Sequence, residues 1–331
     1  MPFRLLRGKV EGGKINMSGW FSIAHFHPVA YHYTMDAFEE KKRIEQLRAE
    51  LHHHNDLYYH KAAPVISDRE FDERLKELER LEAAFPQFDD PTSPTRRVGG
   101  APLKEFQNVK HLRPMMSLDN TYNEEDLREF DRRVHKLIEG RTATYVLEPK
   151  IDGVSITLRY ERGALSLGAT RGDGTTGDDI TANLQTIRSI PLKLSGDQVP
   201  DFIEVRGEAF MPIQGFHAIN AQREKDGEPL FANPRNATAG SLKQLDPRIV
   251  RSRPLAAVFY GIGECRGKRP DTHAGEITWL KALGLPIPDL WWTCENIDEV
   301  IRHSQELQAQ ETSLAYMIDG CVIKVNEIPL W

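Results

Sequence analysis

Cysteine is scarce in this 331-residue chain: Cys265, Cys294 and Cys321 are the whole set. They lie far apart and form no C-x-x-C pair. That excludes a disulfide-stapled scaffold, offers no zinc site within these residues, and suits a reducing compartment. Long apolar runs are missing too, and none approaches a membrane span. A basic surplus is also lacking. The formal net charge is −6, from 43 basic and 49 acidic residues, so any contact with phosphates must come from local patches. Hydrophobic content of 40% and charged content of 28% are ordinary for a globular protein. The length allows roughly two domains with cores of their own.

The segment Met1 to Tyr33 is rich in aromatics and histidine around Trp20 to Tyr33. It has neither helical nor alternating pattern, and no apolar core or cleavage site of a signal peptide. Met35 then opens a clean amphipathic stretch. Met35 is therefore expected as the natural start, with residues 1–34 an upstream extension or disordered tail. From Glu39 to about His54, Ile44, Leu47 and Leu51 recur at helical spacing. Ser67 and Glu70 form a capping box for a second helix carrying Phe71, Leu75 and Leu78, closed by Pro86. Residues 35–88 thus read as a helical hairpin domain. A Pro- and Gly-bearing connector, 89–102, marks a domain boundary.

Residues 103–331 read as a mixed domain. Asn123 caps a helix with the expected buried stripe Leu127, Phe130, Val134 and Leu137, ended at Gly140. Strand-like runs follow at Tyr145–Leu147, Val154–Tyr160 and Leu165–Thr170, the latter two joined by a Glu161-Arg162-Gly163 turn. Phe202–Phe210, Ala256–Ile262 and Ile318–Val325 are further strands. Helices are expected from Pro212 to about Lys225, over Glu276–Leu283 and over Ile297–Gln308. Strands close in sequence favour antiparallel pairing, hence α+β rather than a doubly wound parallel sheet.

Chemistry concentrates in a few patterns. Leu147-Glu148-Pro149-Lys150-Ile151-Asp152-Gly153 puts a lysine and two carboxylates at the end of an apolar strand. A lysine there is a candidate nucleophile once burial or a neighbouring cation favours loss of its proton. Thr170-Arg171-Gly172-Asp173-Gly174 can turn backbone amides and a guanidinium toward an anion; a glycine-rich hairpin loop with a solvated arginine is the plainer alternative. In Ile203-Glu204-Val205-Arg206-Gly207-Glu208, alternation places Glu204, Arg206 and Glu208 on one face, which needs either a polar cleft or an exposed sheet. Phe231 to Lys243 reads as a donor-rich loop in which Arg235 and Lys243 could meet a phosphate backbone or simply face water. Lys324 is the single charge in the apolar run Cys321 to Val325, either an edge lysine or one projecting into a cleft.

Taken in order, these patterns resemble the nucleotidyltransferase superfamily of DNA ligases, RNA ligases and capping enzymes, and within it the bacterial NAD-dependent DNA ligases. The resemblance runs from about Met35 to Asn326. It implies an α+β nucleotidyltransferase (ATP-grasp-like ligase) domain with antiparallel sheets, preceded by a small helical hairpin domain that grips the nicotinamide mononucleotide half of NAD. It further implies that Lys150 takes the adenylyl group, with Asp152 orienting it or removing its proton. Arg171 and Lys324 then neutralise phosphate charge with Mg2+ (or Mn2+). Glu148 holds the adenine amino group, Glu208 a ribose hydroxyl, and Tyr260 offers a flat face to adenine. Tyr58, Tyr59, Asp68, Phe71 and Asp72 match the nicotinamide-side positions, and Ser117 and Leu118 the adenosine side. Arg235 and Lys243 become contacts for nicked double-stranded DNA. A cytoplasmic, nucleoid-associated monomer is implied, with no membrane.

The chain departs from the family pattern in three places. Phe71 stands where tyrosine is common, and Ala62 where aspartate is usual. After Trp331 the family continues to a second active-site lysine, an OB-fold, a zinc module, helix-hairpin-helix repeats and a BRCT domain, so Zn2+ is expected only there. The expectation is an adenylylation module that cannot seal nicks alone and labels itself poorly. Two rivals stand beside it: a catalytically silent protein binding NAD or DNA, and an ATP-dependent polynucleotide ligase.

Overall fold

The computed structural model describes residues 28–59, 65–98 and 103–331. Two helices, α1 (Pro28–Tyr59) and α2 (Asp68–Ala84), form the first unit. α2 begins as its sequence demands: the Ser67 hydroxyl accepts from the Glu70 amide, and the Glu70 carboxylate accepts from the Ser67 amide. Helical spacing aligns Ile44, Leu47 and Leu51 on α1 with Leu75 and Leu78 on α2, all buried. Ion pairs Arg43–Glu77 and Arg48–Glu82 cross the same seam. α1 starts ahead of the expected Glu39 and runs past Met35 without a break, so the boundary drawn at residue 34 falls inside a helix. Residues 1–27, Ala62 and the side chains of Tyr58, Tyr59 and Asp68 lie outside the described part.

Arg97 ties the connector to the second unit. In the helical turn Pro94–Val98, the buried Arg97 guanidinium donates to the carbonyls of Ile187 and Ile190 at 2.8 and 2.6 Å. The second unit then follows in chain order. Its first half comprises β1 (Asn108–Lys110), α3 (Glu124–Leu137), β2 (Tyr145–Ile151), β3 (Val154–Glu161), β4 (Ala164–Thr170), β5 (Thr176–Asp178) and α4 (Thr181–Gln185). Its second half comprises β6 (Phe202–Phe210), α5 (Ile213–Lys225), α6 (Pro234–Leu242), α7 (Pro247–Arg251), β7 (Ala256–Arg266), α8 (His273–Ala282), β8 (Trp292–Cys294), α9 (Ile297–Gln310) and β9 (Ile318–Val325).

Among the described residues every strand pairing is antiparallel, as the α+β reading expects. A four-stranded sheet has the order β4-β3-β6-β7, a three-stranded sheet β8-β2-β9, and β1 pairs with β5. One face of the four-stranded sheet carries Ile156, Leu158, Tyr160, Ile203, Val205 and Phe259 into the main core, where Leu280 and Leu283 of the α8 region meet them. The three-stranded sheet backs Tyr145, Leu147 and Cys294 onto α9 through Val300 and Leu307. The remaining, polar faces confront each other, since Lys324 on β9 reaches the Tyr260 carbonyl on β7 at 3.1 Å. That confrontation is the cleft.

Four expectations change. Leu137 is 78% exposed, and Ile138 takes its place beside Leu127, Phe130 and Val134; three and four residues on from Val134 both fit the helical stripe, and packing with α9 and the neighbouring sheet selects Ile138. Pro212 caps α5 rather than opening it. The Phe231–Lys243 loop contains a helix, α6, whose N-cap Asn233 accepts from the Asn236 amide and whose Pro234 fits a first turn that has no use for its missing N–H. The short strands β1, β5 and β8 escaped notice because three residues show no period.

Candidate active site

Lys150 sits where the chain changes sheets. β2 ends the three-stranded sheet at Ile151 and β3 enters the four-stranded sheet at Val154, leaving Asp152-Gly153 as the crossing. Glycine is required there, because a Cβ at Gly153 would lie 2.2 Å from the Ala209 carbonyl oxygen. The Lys150 ammonium, at the strand end rather than in the turn, is partly exposed and pairs with the Asp319 carboxylate. Asp152 does not hold it. The Asp152 amide donates to the Met317 carbonyl at 2.9 Å, and its carboxylate accepts from Arg235 at 3.0 Å. The contact expected between Asp152 and Lys150 is made instead by Asp319, at the Asp-Gly pair that opens the segment leading to Lys324. Arg235, expected on DNA, pairs here with Asp152.

Deeper in the cleft, Glu148 is 2% exposed. Its Oε1 accepts from Lys324 Nζ at 2.8 Å and from His273 Nε2 at 2.6 Å. Burial alone would raise this carboxyl, but the Lys324 charge and the His273 contact outweigh it and hold it below the ordinary range. Lys324 lies on an edge strand, yet it turns inward and sits 5.2 Å from the Tyr260 ring centroid. Sequence reading missed His273, which stands at the first turn of α8 with no motif to advertise it.

Glu208 faces the same space from β6. It accepts from the Ser155 hydroxyl at 2.9 Å and the Tyr260 hydroxyl at 3.3 Å. Burial pushes its carboxyl up to about 7, and it also raises the Tyr260 phenol. The charged face of β6 is a buried polar one, not an exposed sheet: Glu204 is fully buried against Arg159 at 2.8 Å. Arg206 donates to the Arg113 carbonyl and Arg159 to the Lys110 carbonyl, both at 2.8 Å, strapping 110–113 across the sheet.

Arg171 is exposed, at the mouth of a preorganised loop. Gly172 and Gly174 adopt φ of +55° and +92°, and the Asp173 carboxylate accepts from the amides of Thr175 and Thr176. The buried His111 Nε2 lies 3.0 Å from the Arg171 carbonyl oxygen and props the loop from beneath. Ser117 and Leu118 are exposed beyond the buried Met115. Phe71 packs into the helical seam, Asp72 is exposed on α2, and Lys243 is exposed at the C-terminus of α6. Among the described residues no cluster of His, Cys, Asp and Glu could hold a metal by itself, and no helix is long and apolar enough to cross a membrane.

Comparison with known proteins identifies the family. Residues 103–331 match the NAD-dependent DNA ligase adenylation domain, and residues 37–99 match the DNA ligase-like, N-terminal NAD+-binding domain. The chain belongs to the NAD-dependent DNA ligase family. It is 53% identical over 294 residues to a DNA ligase of Carboxydothermus hydrogenoformans, covering 89% of this chain and 44% of that protein. To the DNA ligase of Methylacidiphilum infernorum it is 50% identical over 289 residues, 87% of this chain and 42% of the relative. The chain therefore spans less than half the length of these relatives.

Proposed function

We propose that this chain is the adenylation module of an NAD-dependent DNA ligase, with Lys150 as the acceptor of an adenylyl group and nicotinamide mononucleotide as the leaving group. The observation that carries it is the placement of Lys150 at the sheet crossing, facing a cleft whose depth holds Glu148, Lys324, Tyr260 and Glu208. NAD supplies an activated adenylyl phosphate when bound. The cleft fits that group: the carboxylates accept from an amino group and from ribose hydroxyls, the Tyr260 ring offers a flat face, and Lys324 and Arg171 supply positive charge for phosphate. Lys150 must lose its proton and leave Asp319 to act as nucleophile. In-line displacement depends on alignment, which the strand end supplies by fixing the lysine backbone.

The match to an N-terminal NAD+-binding domain favours NAD over ATP as the adenylyl source. Tyr58, Tyr59, Asp68, Phe71 and Asp72 are proposed for its nicotinamide side, and Ser117 and Leu118 for its adenosine side. Mg2+ (or Mn2+) belongs to the proposal with ligands drawn chiefly from phosphate oxygens and water, since the described residues hold no ready-made cluster. Arg235, Lys243 and Arg171 are proposed to meet the 5′-phosphate side of nicked double-stranded DNA, in the replication and repair setting of a cytoplasmic, nucleoid-associated monomer. Incubation with NAD radiolabelled in the adenylyl phosphate tests the central step. Label is expected on Lys150, released by acid but not alkali, and absent from Lys150→Ala. A wild-type chain that binds NAD yet takes no label, or a labelled Lys150→Ala variant, overturns it.

A further inference from the structure

The adenylation reading leaves a buried group without a role. His273 and Glu276, one turn apart on α8, are both fully buried. Nε2 of His273 is 2.6 Å from Glu148 Oε1, while its Nδ1 lies 3.6 Å from Glu276 Oε2, and Arg269 pairs with Glu276 from behind. The ionised Glu148 carboxylate can only accept, so Nε2 carries the proton and donates it. Lys324 Nζ reaches the same oxygen at 2.8 Å and lies 3.1 Å from His273 Nε2, so the two donors converge on Oε1 side by side. Both bonds therefore end on Oε1.

Oε2 of Glu148 differs. No hydrogen bond reaches it among the described residues, yet it is absent from the buried polar atoms sealed off without partners, which include Nδ1 of His273 and Oε2 of Glu276. A carboxylate locked through one oxygen presents the other as a fixed acceptor with no proton to donate. Such an acceptor favours a base edge bearing an amino group and opposes one bearing a keto oxygen, whose lone pairs it would face.

We propose that His273 is a positioning residue for base selection: with Lys324 it clamps Glu148 through Oε1, so that Oε2 discriminates a 6-amino purine from a 6-keto purine. This rests on the adenylation reading, with the base lodged beside Glu148. His273 itself touches no substrate. Its removal frees Glu148 to rotate or take up a proton, and a protonated carboxyl can donate to a keto group.

Labelling of Lys150 in the full 331-residue chain by NAD and by its hypoxanthine analogue, each carrying label in the nucleotidyl phosphate, gives the test. Wild type is expected to prefer NAD. His273→Met, which keeps volume but removes the donor, is expected to lose about tenfold or more of that preference, chiefly through KM for NAD; tenfold corresponds to one lost discriminating contact of about 1.4 kcal/mol. His273→Gln, which restores an N–H near Nε2, is expected to retain most of it. A folded His273→Met chain with wild-type preference overturns the proposal, and so does His273→Gln behaving like His273→Met. Histidine 15N NMR of the wild-type chain needs no variant. A protonated Nε2 on His273 that shifts on titration with AMP, but not with IMP, supports the proposal; an unprotonated Nε2 overturns it. If wild type takes no label from either dinucleotide, the adenylation reading fails instead, while the NMR result still decides the clamp.

Discussion

Replacing Glu208 by glutamine gives a sharp test of the electrostatics of the cleft. The side chain is 7% exposed, and burial lifts its carboxyl from 4.5 to about 7. Glutamine is nearly isosteric, and its amide oxygen can still accept from Ser155 and Tyr260. The raised value means that the folded state holds the proton more tightly than the unfolded chain. Below about pH 4.5 both states are protonated and nothing is lost. Between about pH 4.5 and 7 the unfolded chain ionises while the folded state still holds its proton, so stability falls; above 7 both are ionised and the loss is complete. The full loss is about 3.5 kcal/mol, at about 1.4 kcal/mol per pH unit of separation. For a domain of this size that is roughly 7–14 °C in melting temperature. Urea unfolding of wild type and Glu208→Gln between pH 5 and 8.5 is the assay. The two should be similar near pH 5, and the variant should be more stable by pH 8.5. Parallel profiles across the range, or a gap that widens toward acid, would refute the reasoning.

Three further outcomes follow from the packing. Gly153→Ala drives a Cβ against the Ala209 carbonyl, whose strand cannot yield without breaking the β3–β6 pairing; a loss of about 2 kcal/mol or more, or insoluble protein, is expected by chemical denaturation. Lys324→Met leaves Glu148 buried beside His273 without its cation, which should cost about 3–5 kcal/mol, read from the urea midpoint. Arg97→Ala removes charged hydrogen bonds to Ile187 and Ile190. Limited proteolysis in the 89–102 connector is expected to accelerate by about tenfold, while the melting of residues 103–331 barely moves; an unchanged cleavage rate would show that the anchor lies elsewhere.

Much of this was legible in sequence because it depends on local rules. The capping box at Ser67 and Glu70, the alternation of Phe202–Phe210 and the apolar frame of Lys324 each act within a few residues, and each element stands where its pattern placed it. In the Arg162-Gly163 turn, with φ of 49° and 80°, Gly163 likewise follows from its residue type, whereas Arg162 takes a positive φ that arginine does not favour. Local pattern failed where length or periodicity ran out. Leu137 and Ile138 are adjacent apolar residues at a helix end, and only the position of α9 and the neighbouring sheet decided which is buried. The helix α6 was hidden in Asn-Pro-Arg-Asn, whose composition suits a turn as well as a capped first turn.

By itself the sequence determined the inventory: a lysine ahead of Asp-Gly, a glycine-bounded arginine, a charged strand face and a lone lysine in an apolar strand. Those are properties of spacing, and spacing is what a chain carries in one dimension. Which groups pair was decided by the tertiary structure alone. Asp319, 169 residues from Lys150, takes the contact expected of Asp152. Asp152 turns to Arg235, and Glu148 meets His273 from 125 residues away. The cause is the change of sheet at Asp152-Gly153, which carries the chain from one sheet to the other and closes their polar faces over a common cleft. Carboxylates then answer to the cations across that cleft rather than to their neighbours in sequence, because an ionised group taken out of water must find an opposite charge within hydrogen-bonding reach.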